Sequence, residues 1–139
     1  VNITAELRAQ VLADCQARAP AEAVGVVLLE ADGTARAVPL RNLLQGSRAR
    51  RAFEVDLREW MALERDGHTR VAVLYHCHPL GPARLSAADQ AFATPGGQPL
   101  SAGLELWLVT PDETENMSNI KRFTFAGGHW AHATPCSFD

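Results

Sequence analysis

His76, His78 and Asp89 stand in the run YHCHPLGPARLSAADQ as His-Cys-His-Pro followed by an aspartate, with ten residues between the second histidine and that aspartate. Two histidines and a carboxylate are a common ligand set for a catalytic zinc ion. Such a set leaves a coordination position for water, whereas structural zinc sites are closed by four protein ligands rich in cysteine. On an extended strand residues two apart face the same side, so His76 and His78 can turn to one ion while Cys77 faces away. These residues read as the centre of a metallohydrolase.

Such chemistry also needs a base, and Glu22 is the candidate. It sits between Pro20 and Gly25 at the mouth of an apolar run, where a charged side chain is costly unless it reaches a site. Ser86 can donate a hydrogen bond to the oxyanion that develops on an attacked carbonyl. Ser86-x-x-Asp89 also has the form of a helix-capping box, and the two readings are compatible because a capped helix fixes the position of its ligand.

The elements that must carry these residues follow from periodicity. Ile3, Leu7, Val11 and Cys15 recur every four residues and predict a helix ending near Arg18, before Pro20. AVGVVLLE reads as a buried strand, turned by Ala31-Asp32-Gly33 into a second strand over 34–39. A polar, arginine-rich loop over 41–51 leads to a short strand over 52–55. Asp56 then caps a helix in an Asp56-Leu-Arg-Glu59 pattern resembling a capping box, and Gly67 closes that segment. The strand over 71–78 carries the histidines. The turn with Pro79, Gly81 and Pro82 folds a helix over 86–92 back onto its end. Strands are expected over 104–110, 120–125 and 129–133, with a polar loop over 111–119 and a loop over 98–103 beside the cleft.

The chain has 139 residues, 47% of them hydrophobic, which suits a single domain with one core. A formal charge of −3 argues against nonspecific binding of nucleic acid or of a membrane surface. Cys15, Cys77 and Cys136 form no CxxC pair and favour a reducing, cytoplasmic setting. Cys15 is expected to be buried and Cys136 exposed. No apolar run approaches the ~20 residues that cross a bilayer. His129 and His132 fall on opposite faces of their strand, and Trp60, Trp107 and Trp130 are expected to pack in or at the edge of the core. The arginines over 41–51 read as a solvated loop or as a contact for an acidic partner.

Glu22, His76-x-His78-Pro79, Ser86 and Asp89, in this order and spacing, resemble the motif of the JAMM (MPN+) zinc metalloproteases, and the similarity extends over nearly the whole chain. HPLGPARLS is most similar to small bacterial members. The resemblance implies an α/β MPN fold, a curved mixed sheet flanked by helices, with one Zn2+ held by His76, His78 and Asp89. It implies Glu22 as general base, Ser86 as oxyanion donor, and hydrolysis of peptide or isopeptide bonds at the C-terminal tail of a ubiquitin-like or sulfur-carrier protein. Homo-oligomer formation is left open. The alternatives are a peptidase for cell-wall or short peptides and a noncatalytic MPN-type interaction module. Cys77 departs from the family, which usually has Ser or Thr between the histidines.

Overall fold

A computed structural model describes residues 1–133 of the protein. Thr4 caps α1 (Ala5–Arg18) by accepting the Leu7 N–H, and Leu7, Val11 and Cys15 form its buried stripe. The apolar run after Pro20 becomes β1 (Val24–Leu29). It turns back as β2 (Ala35–Leu40) through a hairpin in which Asp32 accepts the Thr34 N–H and hydroxyl, with Gly33 at φ +90°. After a 3-10 turn (Gly46–Arg50) come α2 (Leu57–Leu63) and β3 (Arg70–Cys77). A crossover through α3 (Ala87–Ala93) leads to β4 (Glu105–Pro111), β5 (Met117–Ala126) and β6 (His129–His132).

The six strands form one mixed sheet in the order β2-β1-β3-β4-β5-β6, in which only β3 and β4 pair in parallel. A parallel pair needs a long crossover, and here the crossover supplies α3 and with it Asp89. The central strands are covered on both faces, which is why β1, β3 and β4 read as nearly unbroken apolar runs. On one face α1 packs on Val27, Val73, Tyr75, Cys77, Trp107 and Val109. On the other, Val26, Leu28, Leu74 and Leu106 pack with Trp60, Ala93 and Trp130. The three tryptophans are thus buried, and Cys15 lies fully inside.

Alternation breaks between β1 and β3. Val27 pairs with Val73 but Leu28 with Val71, so Ala72 is an extra residue in β3 and both Ala72 and Val73 face α1.

Gly25 is where β1 yields to a side chain of β3. A Cβ built there would lie 2.3 Å from the Tyr75 ring, which crosses the glycine so that its hydroxyl donates to Asp14 at 2.6 Å. Asp14 also holds Arg18, whose guanidinium donates to the Leu40 and Val24 carbonyls and so ties α1 to the β1–β2 hairpin. Gly25→Ala forces the ring out of this network and is expected to cost at least about 2 kcal/mol, read as a fall in the urea midpoint.

Three expectations change. Residues 52–55 are not a strand. The segment is held by the Asn42 side chain and by two isolated backbone bonds, Leu43 N–H to Glu54 C=O and Ala52 N–H to Arg48 C=O, with no ladder partner among the described residues. The loop expected over 111–119 is shorter, because β4 runs to Pro111 and β5 begins at Met117, with Asp112 closing the turn by accepting the Thr114 and Asn116 N–H groups. Asp56 caps α2, but it accepts from Arg58 N–H and grips the Arg58 guanidinium, and no reciprocal Glu59 bond completes a box among the described residues. Cys136 lies outside the described residues.

Candidate metal centre

His76 is next to last in β3, and His78 follows the strand end while its N–H still bonds the Val109 carbonyl of β4. Strand alternation turns both imidazoles to the face opposite α1. Their Nε2 atoms come within 3.1 Å of each other. α3 delivers the third group, Asp89 Oδ2, at 3.0 Å from His76 Nε2 and 3.1 Å from His78 Nε2. All three side chains are buried.

This triangle fits a metal ion on its own dimensions. Ligand atoms about 2.0–2.1 Å from a tetrahedral zinc lie about 3.3 Å apart, close to the three edges found here. Two ring nitrogens at 3.1 Å can share only one proton between them, so their lone pairs are better satisfied by a common cation. His78 Nδ1 donates to the Pro82 carbonyl at 3.0 Å, which turns Nε2 toward Asp89 as the atom that would meet a metal ion. His76 Nδ1 is buried without a partner, its ring tilted against Phe53 at 5.1 Å. The three residues are positioned to hold a metal ion.

Ser86 and Asp89 form the expected capping box. Ser86 Oγ accepts the Asp89 N–H at 3.0 Å, and the Ser86 N–H donates to Asp89 Oδ2 at 2.9 Å. Asp89 Oδ2 is therefore the meeting point of both imidazoles and a backbone N–H. Its ligand geometry and its helix start are one structure. The Ser86 hydroxyl keeps its proton for another acceptor and faces the cleft.

Glu22 arrives by strand register. Val24 pairs with His76, and the Cys77 N–H bonds the Ala23 carbonyl, so continuing the antiparallel register places Glu22 opposite His78 and on the same face. Only 5% of its surface is exposed, and its Oε1 has no hydrogen-bond partner. Glu22, His78 and Ser86 line one cleft of about 610 Å3.

Electrostatics separate the roles. Burial pushes the Glu22 carboxyl up to about 7, with Asp89 adding to the rise and His78 opposing it. Burial also opposes ionisation of Asp89, but hydrogen bonds from His76 and His78 and the Ser86 N–H outweigh it and hold the carboxyl far below its usual range. His76 is lowered by burial, which exceeds the pull of Asp89. Burial acts likewise on His78, yet Asp89 and the Pro82 carbonyl raise it to about 8. A fixed carboxylate that draws a proton onto the neighbouring His78 imidazole marks a place where positive charge is favoured, and a metal ion bound there takes the place of that proton.

Two residues that hold Glu22 are not evident from sequence. The Asn42 amide donates to the Glu22 carbonyl at 3.0 Å and the Ala52 carbonyl at 3.1 Å, while its oxygen accepts the Leu44 and Glu54 N–H groups. The Glu22 N–H itself donates to the Ala49 carbonyl at 2.6 Å. Asn42→Ala is expected to cost about 2–3 kcal/mol in urea denaturation, because four backbone groups lose their partner.

Cys77 is the second. Its sulfur accepts the Ala23 N–H at 3.0 Å and lies 3.7 Å from the Ala21 carbonyl, clasping the two residues that flank Glu22 from the face away from the imidazoles. The thiol is thus a fastener for the Glu22 segment and stands apart from the ligand triangle. Residues 98–103, expected beside the cleft, do not line it; Leu100 packs into the core beneath α3 and Ser101 reaches Glu64.

A mixed sheet whose central strand ends in His-x-His, with an aspartate from the crossover helix and a buried glutamate from the neighbouring strand, defines an MPN-type domain with a metal-ligand set. The chain belongs to the prokaryotic homologs of the JAB domain, a family that matches residues 4–125. The JAB/MPN resemblance of its motif and the expected α/β fold both hold.

Solved structures agree at the level of fold. A solution structure from Desulfitobacterium hafniense is similar with a TM-score of 0.67 and 24% identity, covering 94% of this chain and 87% of that one. One from Salinibacter ruber has a TM-score of 0.59 and 20% identity, covering 96% and 89%. No curated protein matches the sequence. No helix among the described residues is long and apolar enough to cross a membrane.

Proposed function

We propose that the protein is a zinc-dependent hydrolase of peptide or isopeptide bonds at the C-terminal tail of a ubiquitin-like or sulfur-carrier protein. The observation that carries this reading is Glu22. A carboxylate buried against the His78 side of the triangle, with a free oxygen and its pKa raised to about 7, is costly to the fold and suited to moving a proton.

His76, His78 and Asp89 would hold the ion. When bound, zinc supplies Lewis acidity and brings the pKa of a water to about 7. Hydrolysis adds the water oxygen to the carbonyl carbon, breaks the C–N bond and delivers a proton to the leaving nitrogen. Glu22 Oε1 takes the proton from the attacking water and hands it to that nitrogen. The Ser86 hydroxyl donates to the carbonyl oxygen as charge grows there, while its backbone N–H keeps Asp89 in place. Gly81 and Pro82 line the cleft beside His78. Cys15 and Cys77 are free thiols, consistent with the cytoplasmic setting we assign.

The test is mass spectrometry of a ubiquitin-like protein carrying a short extension after its C-terminal glycines, incubated with the zinc-loaded protein. Expected is a single cut after the last glycine, abolished by a chelator and restored by zinc. An intact substrate alongside fully metal-loaded protein counts against this substrate class.

A further inference from the structure

The chain carries 16 acidic side chains against 13 basic ones, yet the mouth of the cleft is basic. Arg50 at the end of the 3-10 turn and Arg51 just after it line the cleft on one side, and Arg84 lines it from the turn before α3. Among the described residues Arg18, Arg36, Arg58 and Arg122 each pair with a carboxylate. Arg50, Arg51 and Arg84 make no ion pair or side-chain hydrogen bond there. Their grouping is not a by-product of a basic chain.

Nor are they carried on loose loops. The Arg50–Arg51 segment hangs from the bonds that fix Glu22: Ala49 accepts the Glu22 N–H, and Asn42 joins the Ala52 and Glu22 carbonyls. Arg84 sits between two anchors of the opposite wall, since His78 Nδ1 donates to the Pro82 carbonyl and Lys121 Nζ to the Ala83 carbonyl at 2.8 Å. Both walls are therefore set relative to the reacting centre before a ligand arrives. A guanidinium fork matches a carboxylate in geometry, and several of them without counter-ions around one cleft select for it.

We infer that Arg50, Arg51 and Arg84 form an anion subsite that receives a carboxylate of the substrate close to the scissile bond. This inference rests on the hydrolase reading above and adds a specificity to it. The carboxylate has two sources: the free C-terminus of a short leaving segment, or an acidic side chain beside the cut.

The experiment uses zinc-loaded protein with Glu22→Gln, so that peptides are not consumed, and fluorescence polarisation with labelled peptides. One pair ends in Gly-Gly-Ala with a free carboxylate or as the amide. A second pair carries Gly-Gly-Asp-Ala or Gly-Gly-Asn-Ala, both amidated. At least one pair is expected to show binding about ten-fold tighter for the anionic member, and the pair that does so identifies the source. In the added triple substitution R50Q/R51Q/R84Q the preference is expected to vanish.

Equal affinity within both pairs, no binding of any peptide, or a preference undiminished in the triple variant overturns the subsite. Cleavage of all four peptides by the unmutated zinc protein without charge preference removes the subsite and keeps the hydrolase. Charge preference without any cleavage by that protein does the reverse.

Discussion

Glu22→Gln is expected to lower hydrolysis by about 10²–10⁴-fold while the protein still takes up its metal. Glutamine keeps the shape and cannot accept the water's proton. None of the three candidate ligands is touched, and the backbone bonds from Asn42, Ala49 and Cys77 that hold this residue do not involve its side chain. The same variant carries a second signature that an incidental surface glutamate would not show. The folded Glu22 carboxyl titrates at about 7 against an ordinary 4.5, with burial the main cause. Between those values the unfolded chain has already released the proton that the fold retains. Stability of the metal-free protein therefore falls as pH rises from about 4.5 to 7 and stays reduced above it.

The shift corresponds to about 3 kcal/mol. Glu22→Gln removes the penalty, so the metal-free variant is expected to be more stable than its parent at pH 8 by up to about 3 kcal/mol, with little difference at pH 4. Chemical denaturation at the two pH values reads this directly. A variant destabilised at pH 8 would mean that the carboxylate is satisfied by the fold and has no strained, functional setting.

Asp89→Asn is expected to lower zinc affinity by at least about 100-fold, since losing even an outer-shell partner of a metal site costs 10–100-fold. Asp89 Oδ2 meets His76, His78 and the Ser86 N–H at once. An amide brings no charge, and its NH2 group turned toward the ring nitrogens cannot bind a cation. The fold of the metal-free protein responds with a defined pH dependence. For His78 burial works against the charged form, but Asp89 and the Pro82 carbonyl raise its pKa from 6.5 to about 8. The stability contributed by that rise is present in full below pH 6.5 and is lost as pH climbs through 8. Asp89→Asn is therefore expected to destabilise the metal-free protein markedly more at pH 6 than at pH 9. Equal losses at both would assign Asp89 to the capping box alone.

The ligand triangle was legible in the sequence because its parts are local. His76 and His78 share a face by strand alternation alone, and Asp89 follows a proline-rich turn and a serine that starts a helix, so the chemistry and the element boundaries coincide. Glu22 could be nominated only as an acid oddly placed at a strand mouth. Its position opposite His78 depends on the β1–β3 register, which links residues over fifty positions apart, and the Ala72 bulge in that same pair could not be foreseen.

Asn42 lay in a polar loop where nothing in the spacing distinguishes a side chain with four backbone partners from a solvated one. For the same reason the segment over 52–55 had the composition of a strand without having a strand beside it. Alternation did place Cys77 away from the imidazoles, but its grip on Ala21 and Ala23 appears only once β1 lies alongside β3. What the sequence could not convey was, in each case, which distant backbone a side chain would meet.

The convergence of His76, His78 and Asp89 on one ion is tested most directly by calorimetric titration of zinc into the metal-free protein, its Glu22→Gln variant and its Asp89→Asn variant. Expected is one tight site per chain in the first two and its loss in the third. Absence of a tight site in the unmutated protein, or a site of unchanged affinity in Asp89→Asn, would contradict the metal centre and the hydrolytic function built on it.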